Sequence, residues 1–175
     1  VRRGMARTQW PGRFSCIGEA PVFILDGAHN EEAALRLRES VEAYFPGHRL
    51  VGIMGVFRDK EYEKIAQIMG PFLSVAYAVD LPDAGRGLPS EDLAEALEKY
   101  CSCVRRPSGY RSGEKGCAAE PGDERIDRRR PGQAENVETA VRAALAEAGR
   151  EDVILAFGSL SYLRQVKEAY DKAVW

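Results

Sequence analysis

Residues Val22-Phe23-Ile24-Leu25-Asp26-Gly27-Ala28-His29-Asn30 predict a buried strand that ends in a tight turn. The first four are apolar with no polar interruption, which is typical of a strand covered on both faces. Asn30 is a good N-cap for the helix that follows. Asp26 and His29 should therefore lie at the carboxyl end of a strand and beside a helix N-terminus, where open parallel sheets bind ligands and anions are favoured. In a purely structural alternative, Asp26 and Asn30 only cap the turn and His29 only packs there.

Strand and helix patterns alternate along the rest of the chain. Strands are predicted at 14–17, 50–54, 74–79, 101–105 and 152–157, and helices at 31–45, 61–69, 91–100, 136–148 and from 160 onward. This alternation predicts an α/β fold with a mostly parallel sheet of about six strands and helices on both faces. Asp59 and Ser90 are the expected N-caps of the second and third helices.

The bulk composition predicts one globular domain. The chain has 175 residues, 45% hydrophobic and 30% charged, with a net charge of -2, so no nucleic acid or membrane partner is expected. Neither a membrane-length apolar run nor a signal peptide is visible. The four cysteines form no CxxC pair, which favours a reducing cytoplasm, and Cys101 and Cys103 are expected on one strand face as small core residues.

Two further strand-to-helix turns carry polar side chains. Asp59-Lys60 follows the strand at 50–54, and Gly158-Ser159-Leu160 follows the strand at 152–157. Both turns should lie at the same edge of the sheet as Asp26, with the Asp59 turn beside it. Ser159 is either an ordinary N-cap or a ligand donor.

Four short sequence motifs, in their order and spacing, resemble those of one protein family. They are Trp10-Pro11-Gly12-Arg13, Asp26-Gly27-Ala28-His29-Asn30, Asp59-Lys60-Glu61 and Gly158-Ser159-Leu160. Together they resemble the C-terminal domain of folylpolyglutamate synthase, an enzyme of the Mur ligase superfamily that is often bifunctional with dihydrofolate synthase. The resemblance covers nearly the whole chain except 107–132. The family tyrosine after GSL is replaced here by Ser161, with Tyr162 next to it.

The resemblance implies a Rossmann-like fold with one short antiparallel strand near the start. It also implies addition of L-glutamate to the γ-carboxyl of a folate through an acyl phosphate, with ATP and Mg²⁺. The implied ATP contacts are Arg13, Asp26 and His29, and the implied glutamate contacts are His29 and Ser159. Asn30, Asp59 and Lys60 would line the cleft. Arg13 also has a plain interpretation as a solvated loop charge. A neutral His29 is expected to donate a hydrogen bond to phosphate or carboxylate while Asp26 or the backbone orients its ring.

The larger domain that carries the chemistry of this family is not in the sequence. The chain has no GxxxxGK[ST] phosphate loop, and it begins Val1-Arg2-Arg3-Gly4 without an initiator methionine. It is therefore expected to be the back part of a longer enzyme, with no catalytic residue or metal ligand of its own and inactive without its N-terminal ATPase domain. That domain would hold most of the ATP, Mg²⁺ and folate contacts.

Three other interpretations stay open: a Mur-type ligase domain that joins amino acids to a peptidoglycan precursor, a stand-alone ligand-binding module, and a purely structural interaction domain.

The stretch 107–132 is rich in Gly, Pro and charged residues of both signs, so it predicts a mobile surface insertion.

Overall fold

The structure is a computed structural model that describes residues 12–83, 85–105 and 133–174. The strands in these ranges are β1 Ser15–Glu19, β2 Val22–Leu25, β3 Leu50–Met54, β4 Val75–Ala78, β5 Val104–Arg105 and β6 Val153–Phe157. The helices are α1 Glu31–Tyr44, α2 Tyr62–Met69, α3 Ser90–Glu98, α4 Gln133–Glu147 and α5 Leu160–Val174, with a 3₁₀ turn at Gly70–Phe72. Most boundaries agree with the predicted ones to within two or three residues.

All six strands form one sheet in the order β1-β2-β6-β3-β4-β5. β1 runs antiparallel to β2, and the other neighbours are parallel. The chain moves outward from β2 to β5 and then returns to place β6 in the middle. Because crossovers are right-handed, α1, α2 and α3 cover one face, and α4 and α5 cover the other. The predicted fold class, including the antiparallel first strand, is confirmed.

The central strands are buried because helices cover both of their faces. Every residue of β3 and of β6 is buried, which explains why these strands show apolar runs without a polar alternation. One core lies under α1, α2 and α3, and the second lies under α4 and α5. Within the part of the chain that the structure describes, none of the helices is long and apolar enough to cross a membrane.

The turns after β2, β6 and β3 follow one another along the carboxyl edge of the sheet. The turn at Asp59 was expected beside Asp26, but β6 lies between β2 and β3, so Gly158 and Ser159 separate them. A returning strand of this kind leaves no local sequence signal. Gly158 has φ +112°, and a Cβ there would lie 2.5 Å from the carbonyl oxygen of Gly55, so only glycine fits where these turns meet.

Two predicted helix caps are wrong. α2 begins at Tyr62 with Glu61 in the cap position, and the Asp59 carboxylate instead pairs with Lys60 at 3.0 Å. Ser90 is the first residue of α3 rather than its cap. Its N–H and hydroxyl donate to the two carboxylate oxygens of Asp80, at 2.7 and 3.1 Å, so a carboxylate from the end of β4 fixes the start of this helix.

The predicted strand at 101–105 is reduced to its last two residues. Cys101 and Cys103 are both buried, as predicted, but they belong to opposite cores rather than to one strand face. Irregular backbone precedes β5, so the two-residue repeat of a strand does not apply to them. The stretch 107–132, predicted to be a mobile insertion, lies outside the described residues.

The helical period of the sequence predicts Tyr44, Tyr100 and Leu160 on inner helix faces, but the structure leaves all three exposed. Tyr44, Tyr100 and Leu160 keep 45%, 38% and 51% of their surface accessible. Tyr44 and Leu160 are end residues of helices and Tyr100 follows one, and the helical period continues past the point where the sheet stops covering the helix.

A charged network around Glu147 joins the end of α4 to the sheet. Glu147, the last residue of α4, accepts a hydrogen bond from the Tyr77 hydroxyl at 2.7 Å and pairs with Arg49 at 3.0 Å and Arg105 at 3.2 Å. Arg49 also binds Asp152, just before β6, at 2.9 Å. These contacts hold the pKa of the Glu147 carboxyl below its usual value even though burial acts in the opposite direction. The network ties α4 to β3, β4, β5 and β6.

Candidate functional site

A cavity of about 320 Å³ opens at the carboxyl edge of the sheet, between the loop before β1, the turn after β2 and the first turns of α1. It brings together four of the predicted site residues: Arg13, Asp26, His29 and Asn30. Its other walls include Phe14 and Leu160, together with Glu32, Arg36 and Ser40 from α1. These last five were not predicted as site residues.

The Asp26 carboxylate locks the loop before β1 to the turn after β2. Its Oδ2 accepts from the backbone N–H of Phe14 at 2.7 Å, and its Oδ1 accepts from the N–H of Ala28 at 2.8 Å. The Gly27 N–H donates in parallel to the carbonyl of Gly12 at 2.7 Å. Burial raises the pKa of the Asp26 carboxyl above its usual value, against the opposite effect of the two N–H donors and of the Arg13 charge. Asp26 therefore has a structural role in addition to any contact with a ligand.

Phe14 holds the Arg13 loop in an uncommon backbone conformation. Its φ of +44° is in the left-handed region, which an aromatic residue rarely adopts. Phe14 is kept in place by the hydrogen bond from its N–H to Asp26. Its ring also contacts the rings of Tyr44 and Phe45, at centroid distances of 5.6 and 6.3 Å. Arg13 is thereby presented as an exposed guanidinium at the mouth of the cavity. Sequence patterns carry no signal for a positive φ at a phenylalanine.

The His29 ring is oriented by its own backbone. Nδ1 lies 2.8 Å from the carbonyl oxygen of Gly27. A carbonyl oxygen only accepts, so Nδ1 carries the hydrogen and Nε2 of the neutral ring is an acceptor. Orientation of the ring by the backbone is as expected. The only N–H of the neutral ring is used in this contact, so donation from His29 to an anion stays a prediction that needs the other tautomer or the imidazolium.

Asn30 caps α1 as predicted. Its backbone is extended, with φ −146°, and its side-chain oxygen accepts from the N–H of Ala33 at 2.8 Å. Glu32 follows in the first turn and pairs with Arg36 at 2.6 Å on the rim of the cavity. The helix N-terminus therefore has its cap and a local ion pair already in place.

Ser159 does not line the cavity, but its neighbour Leu160 does. Ser159 is 4% exposed, and its Oγ accepts from the N–H of Ser161 at 3.2 Å, which gives it the capping role. The two hydroxyl oxygens of Ser159 and Ser161 are 2.9 Å apart. Leu160 packs directly over Gly12 and Gly27, whose missing Cβ atoms leave room for it. The two glycines alone do not identify the side chain that fills this space, so the sequence carries no signal for Leu160 as a wall of the site.

Tyr162 is next in sequence to the position of the family tyrosine, but its side chain is turned into the core. Its ring is fully buried, and its hydroxyl lies within hydrogen-bonding distance of the carbonyls of Phe157 and Ile53, at 2.7 and 3.0 Å. It therefore braces β6 against β3 and leaves the exposed position to Ser161.

Asp59 and Lys60 lie apart from the cavity, at the end of β3, where they pair with each other. The loop is held there by Arg58, whose Nε donates to the Gly87 carbonyl at 2.9 Å. The Arg86 guanidinium stacks over the Phe57 ring at 4.7 Å. The predicted cleft residues thus fall into two groups at one sheet edge: Asn30 lies in the cavity at Asp26, and Asp59 and Lys60 lie outside it. Arg58 and Arg86, which were not predicted, join Lys60 in a basic patch.

The described residues do not fit a Mg²⁺ ion. Across 12–83, 85–105 and 137–174, no three His, Cys, Asp or Glu side chains come together in a way that could hold a metal. Both carboxylate oxygens of Asp26 already accept backbone N–H bonds. The cavity instead offers a guanidinium, an imidazole acceptor and apolar walls, which suits an organic anion that also carries hydrogen-bond donors.

A family model, related sequences and solved structures all point to the same family. The family model described as "Mur ligase, glutamate ligase domain" matches residues 12–160. The dihydrofolate synthase/folylpolyglutamate synthase of Escherichia coli is 28% identical over 98% of this chain and 33% of its own length. A probable bifunctional folylpolyglutamate synthase/dihydropteroate synthase of Halobacterium salinarum is 29% identical over 98% of this chain and 18% of its own length.

Solved structures share the fold. E. coli FolC in complex with DHPP and ADP superimposes with a TM-score of 0.71 at 26% identity, over 98% of this chain and 34% of that one. The Yersinia pestis folylpolyglutamate synthase/dihydrofolate synthase complexed with AMPPNP and a Mn ion gives a TM-score of 0.65 at 25% identity, over 98% of this chain and 33% of that one. This chain spans about a third or less of the length of these relatives. With a family match over most of its residues, the chain belongs to the glutamate ligase domain family of the Mur ligases.

Proposed function

We propose that this chain acts as the C-terminal domain of an ATP-dependent folylpolyglutamate synthase in the cytoplasm, adding L-glutamate to the γ-carboxyl of a folate. The observation that carries the proposal is the cavity that joins Arg13, Asp26 and His29 at the carboxyl edge of the sheet. The relatives that cover nearly all of this chain are folylpolyglutamate or dihydrofolate synthases, which supports folate over other acceptors. A dihydrofolate synthase activity would use the same residues.

The residues of the cavity would position substrates rather than form covalent intermediates. The Arg13 guanidinium is exposed at the mouth, where its forked donors suit the phosphates of ATP. Asp26 holds the Arg13 loop in place through Phe14 and faces the same cavity. Leu160 offers an apolar surface beside them. In the reaction the folate carboxylate is phosphorylated by ATP, and the glutamate amine then attacks the acyl phosphate, so correct placement supplies much of the rate.

His29 and Ser159 would act on the glutamate side of the reaction. Ser159 is buried and committed to Ser161, so a glutamate contact would use the remaining capacity of that hydroxyl pair. Asn30 would help through the α1 N-terminus that it caps. Lys60 and its neighbours at the end of β3 form a separate basic patch that would attract the anionic folate or glutamate.

The phosphate loop and the Mg²⁺ ligands would belong to an N-terminal ATPase domain. The chain has no GxxxxGK[ST] motif, and the described residues do not fit the metal. Mg²⁺, bound by that domain, would neutralise charge on the ATP phosphates. This chain would close over that domain as a lid. On its own it would be catalytically inactive.

A second candidate is a Mur-type ligase that adds an amino acid to a peptidoglycan precursor. It is favoured by the family match itself, which describes the glutamate ligase domain of Mur ligases and does not specify folate. The two candidates share the amide-forming chemistry and differ in the acceptor.

A domain exchange tests the proposal. The C-terminal third of the E. coli relative is replaced by this chain, and ATP- and glutamate-dependent extension of a reduced folate is measured, with a muramoyl-peptide precursor as the alternative acceptor. The proposal expects folate extension by the chimera and none by the chain alone. Extension of the muramoyl precursor instead would support the second candidate. Turnover of folate by the isolated chain would contradict the assignment of the ATPase chemistry to another domain.

A further inference from the structure

We propose that Nε2 of His29 accepts a hydrogen bond from the amino group of the incoming amino acid and takes its proton when the amide bond forms. The proposal deepens the proposed function and rests on it. It reverses the expected role of this histidine, from a donor to an anion to an acceptor from an amine.

The acceptor role follows from the ring's backbone contact. The 2.8 Å contact from Nδ1 to the Gly27 carbonyl uses the single N–H of the neutral imidazole. Nε2 therefore presents a lone pair, on a ring that lines the cavity. A lone pair repels a carboxylate or phosphate oxygen and is attracted by an N–H donor. An amino acid substrate brings such a donor in its amino group.

The charged groups around the cavity do not supply the acceptor for the substrate amine, which we assign to His29. From the loop before β1 comes Arg13, and from the turn after β2 comes Asp26. From α1 come Glu32 and Arg36, which pair with each other at 2.6 Å. The start of α5 contributes only the apolar Leu160 to the wall. The anionic phosphates of ATP thus have the Arg13 guanidinium available, so they do not need the imidazole.

The other hydrogen-bond acceptors in the wall are already engaged. Both oxygens of Asp26 accept backbone N–H bonds, at 2.7 and 2.8 Å, and the side-chain oxygen of Asn30 accepts from Ala33 at 2.8 Å. Glu32 is exposed and ion-paired on the rim. His29 is half-buried, faces the cavity and keeps a free lone pair by its own geometry. It is the base in this wall that meets the requirements for proton transfer.

The proton balance of the step is simple. The amino acid loses one ammonium proton to solvent, and the neutral amine attacks the carbonyl carbon of the acyl phosphate. The new C–N bond makes the nitrogen cationic, and one of its protons passes to Nε2 of His29. The C–O bond to phosphate then breaks, releasing phosphate and the amide, and the imidazolium returns its proton to solvent. No other reactant is needed beyond the acyl phosphate and the amine.

Nitrogen NMR of the full 175-residue chain tests the binding role. The chain has two histidines, so His48, exposed on the loop after α1, serves as an internal control. The probes are L-glutamate and glutarate, a dicarboxylate of the same length without the amine. The proposal expects the free His29 ring to carry its proton on Nδ1. It also expects L-glutamate to move the His29 titration curve to lower pH and glutarate to move it to higher pH, with His48 unchanged.

The outcomes separate this proposal from the proposed function. If L-glutamate perturbs backbone signals around the cavity but moves the His29 curve to higher pH, as glutarate does, the ring binds carboxylate and the inference is wrong. If L-glutamate perturbs no signal at the carboxyl edge, the proposed glutamate site fails together with the inference. If the free ring is protonated on Nε2 when neutral, the inference fails regardless of binding.

Kinetics of the domain-exchange chimera test the proton transfer. In His29→Gln an amide oxygen can still accept a hydrogen bond from the amine, but it cannot take the proton. The variant should keep the KM for glutamate within a few-fold and lose about 10²–10⁴-fold in kcat, the typical contribution of general base catalysis. A large rise in KM at unchanged kcat would assign His29 to binding alone.

Discussion

Replacing Asp26 by alanine would show how firmly this carboxylate locks the two loops of the cavity. The change removes both acceptors of the Phe14 and Ala28 N–H groups and leaves those donors partly buried without a partner. A hydrogen bond to a charged group contributes about 1.5–3 kcal/mol, so two of them give about 3 kcal/mol at the lower limit. The burial that raises the pKa of the Asp26 carboxyl offsets part of this, because the desolvated charge is itself costly. We expect a net loss of about 2–3 kcal/mol in the free energy of unfolding.

Urea unfolding of the 175-residue chain at neutral pH measures this loss. Asn30→Ala is the matched control on the same turn: it removes one cap bond and should cost about 1 kcal/mol. Asp26→Asn keeps one acceptor and should fall between the two. A loss below about 1 kcal/mol for Asp26→Ala, no larger than that of the cap control, would refute the view that Asp26 holds the Arg13 loop.

Two further predictions concern the edges of the sheet. Gly158→Ala should lower the free energy of unfolding by more than about 2 kcal/mol, because the new Cβ combines a positive φ with a close approach to the Gly55 carbonyl. Gly47→Ala is the control: at φ +75° with open space around it, the change should cost only about 1 kcal/mol. Equal losses in thermal unfolding would contradict the close contact of the turns. Glu147→Gln should lose about 1.5 kcal/mol at pH 7. The pKa of Glu147 in the folded protein is lowered from 4.5, so the stability that its carboxylate contributes is complete above pH 4.5 and is lost as the pH falls through the folded-state pKa. The original protein and the Glu147→Gln variant should therefore reach the same stability in acid unfolding measurements. A constant difference between them down to strongly acidic pH would be inconsistent with the network.

The sheet and its helices could be predicted from the sequence because both signals are local. Apolar runs such as 50–54 and 153–157 mark strands buried on both faces, and alternation with helices implies a parallel sheet. The position of β6 could not be predicted, since its return to the middle of the sheet depends on contacts distant in sequence. The predicted cap at Ser90 failed for a related reason. Asp80 is ten residues before Ser90, and a side chain that comes from another element has no periodic signature.

The site was predicted in part. The turn after β2 brings Asp26, His29 and Asn30 to the carboxyl edge as the strand-turn-helix pattern implies, and Arg13 joins them because the antiparallel β1 pairs with β2. Leu160 was missed because its helical period indicated burial, although it lies beyond the covered part of α5. The proton position on His29 depends on one backbone carbonyl, which only three-dimensional geometry supplies.

Mapping ADP onto the isotopically labelled 175-residue chain tests most directly whether the cavity at the carboxyl edge is the nucleotide site. We expect backbone chemical-shift changes in Gly12–Phe14, Asp26–Asn30 and Gly158–Leu160, lost in Arg13→Ala while the rest of the spectrum remains folded. Arg49 and Arg105, which pair with Glu147, provide the comparison within the same molecule. Shift changes centred on that network, or changes at the carboxyl edge that persist unaltered in Arg13→Ala, would contradict the assignment.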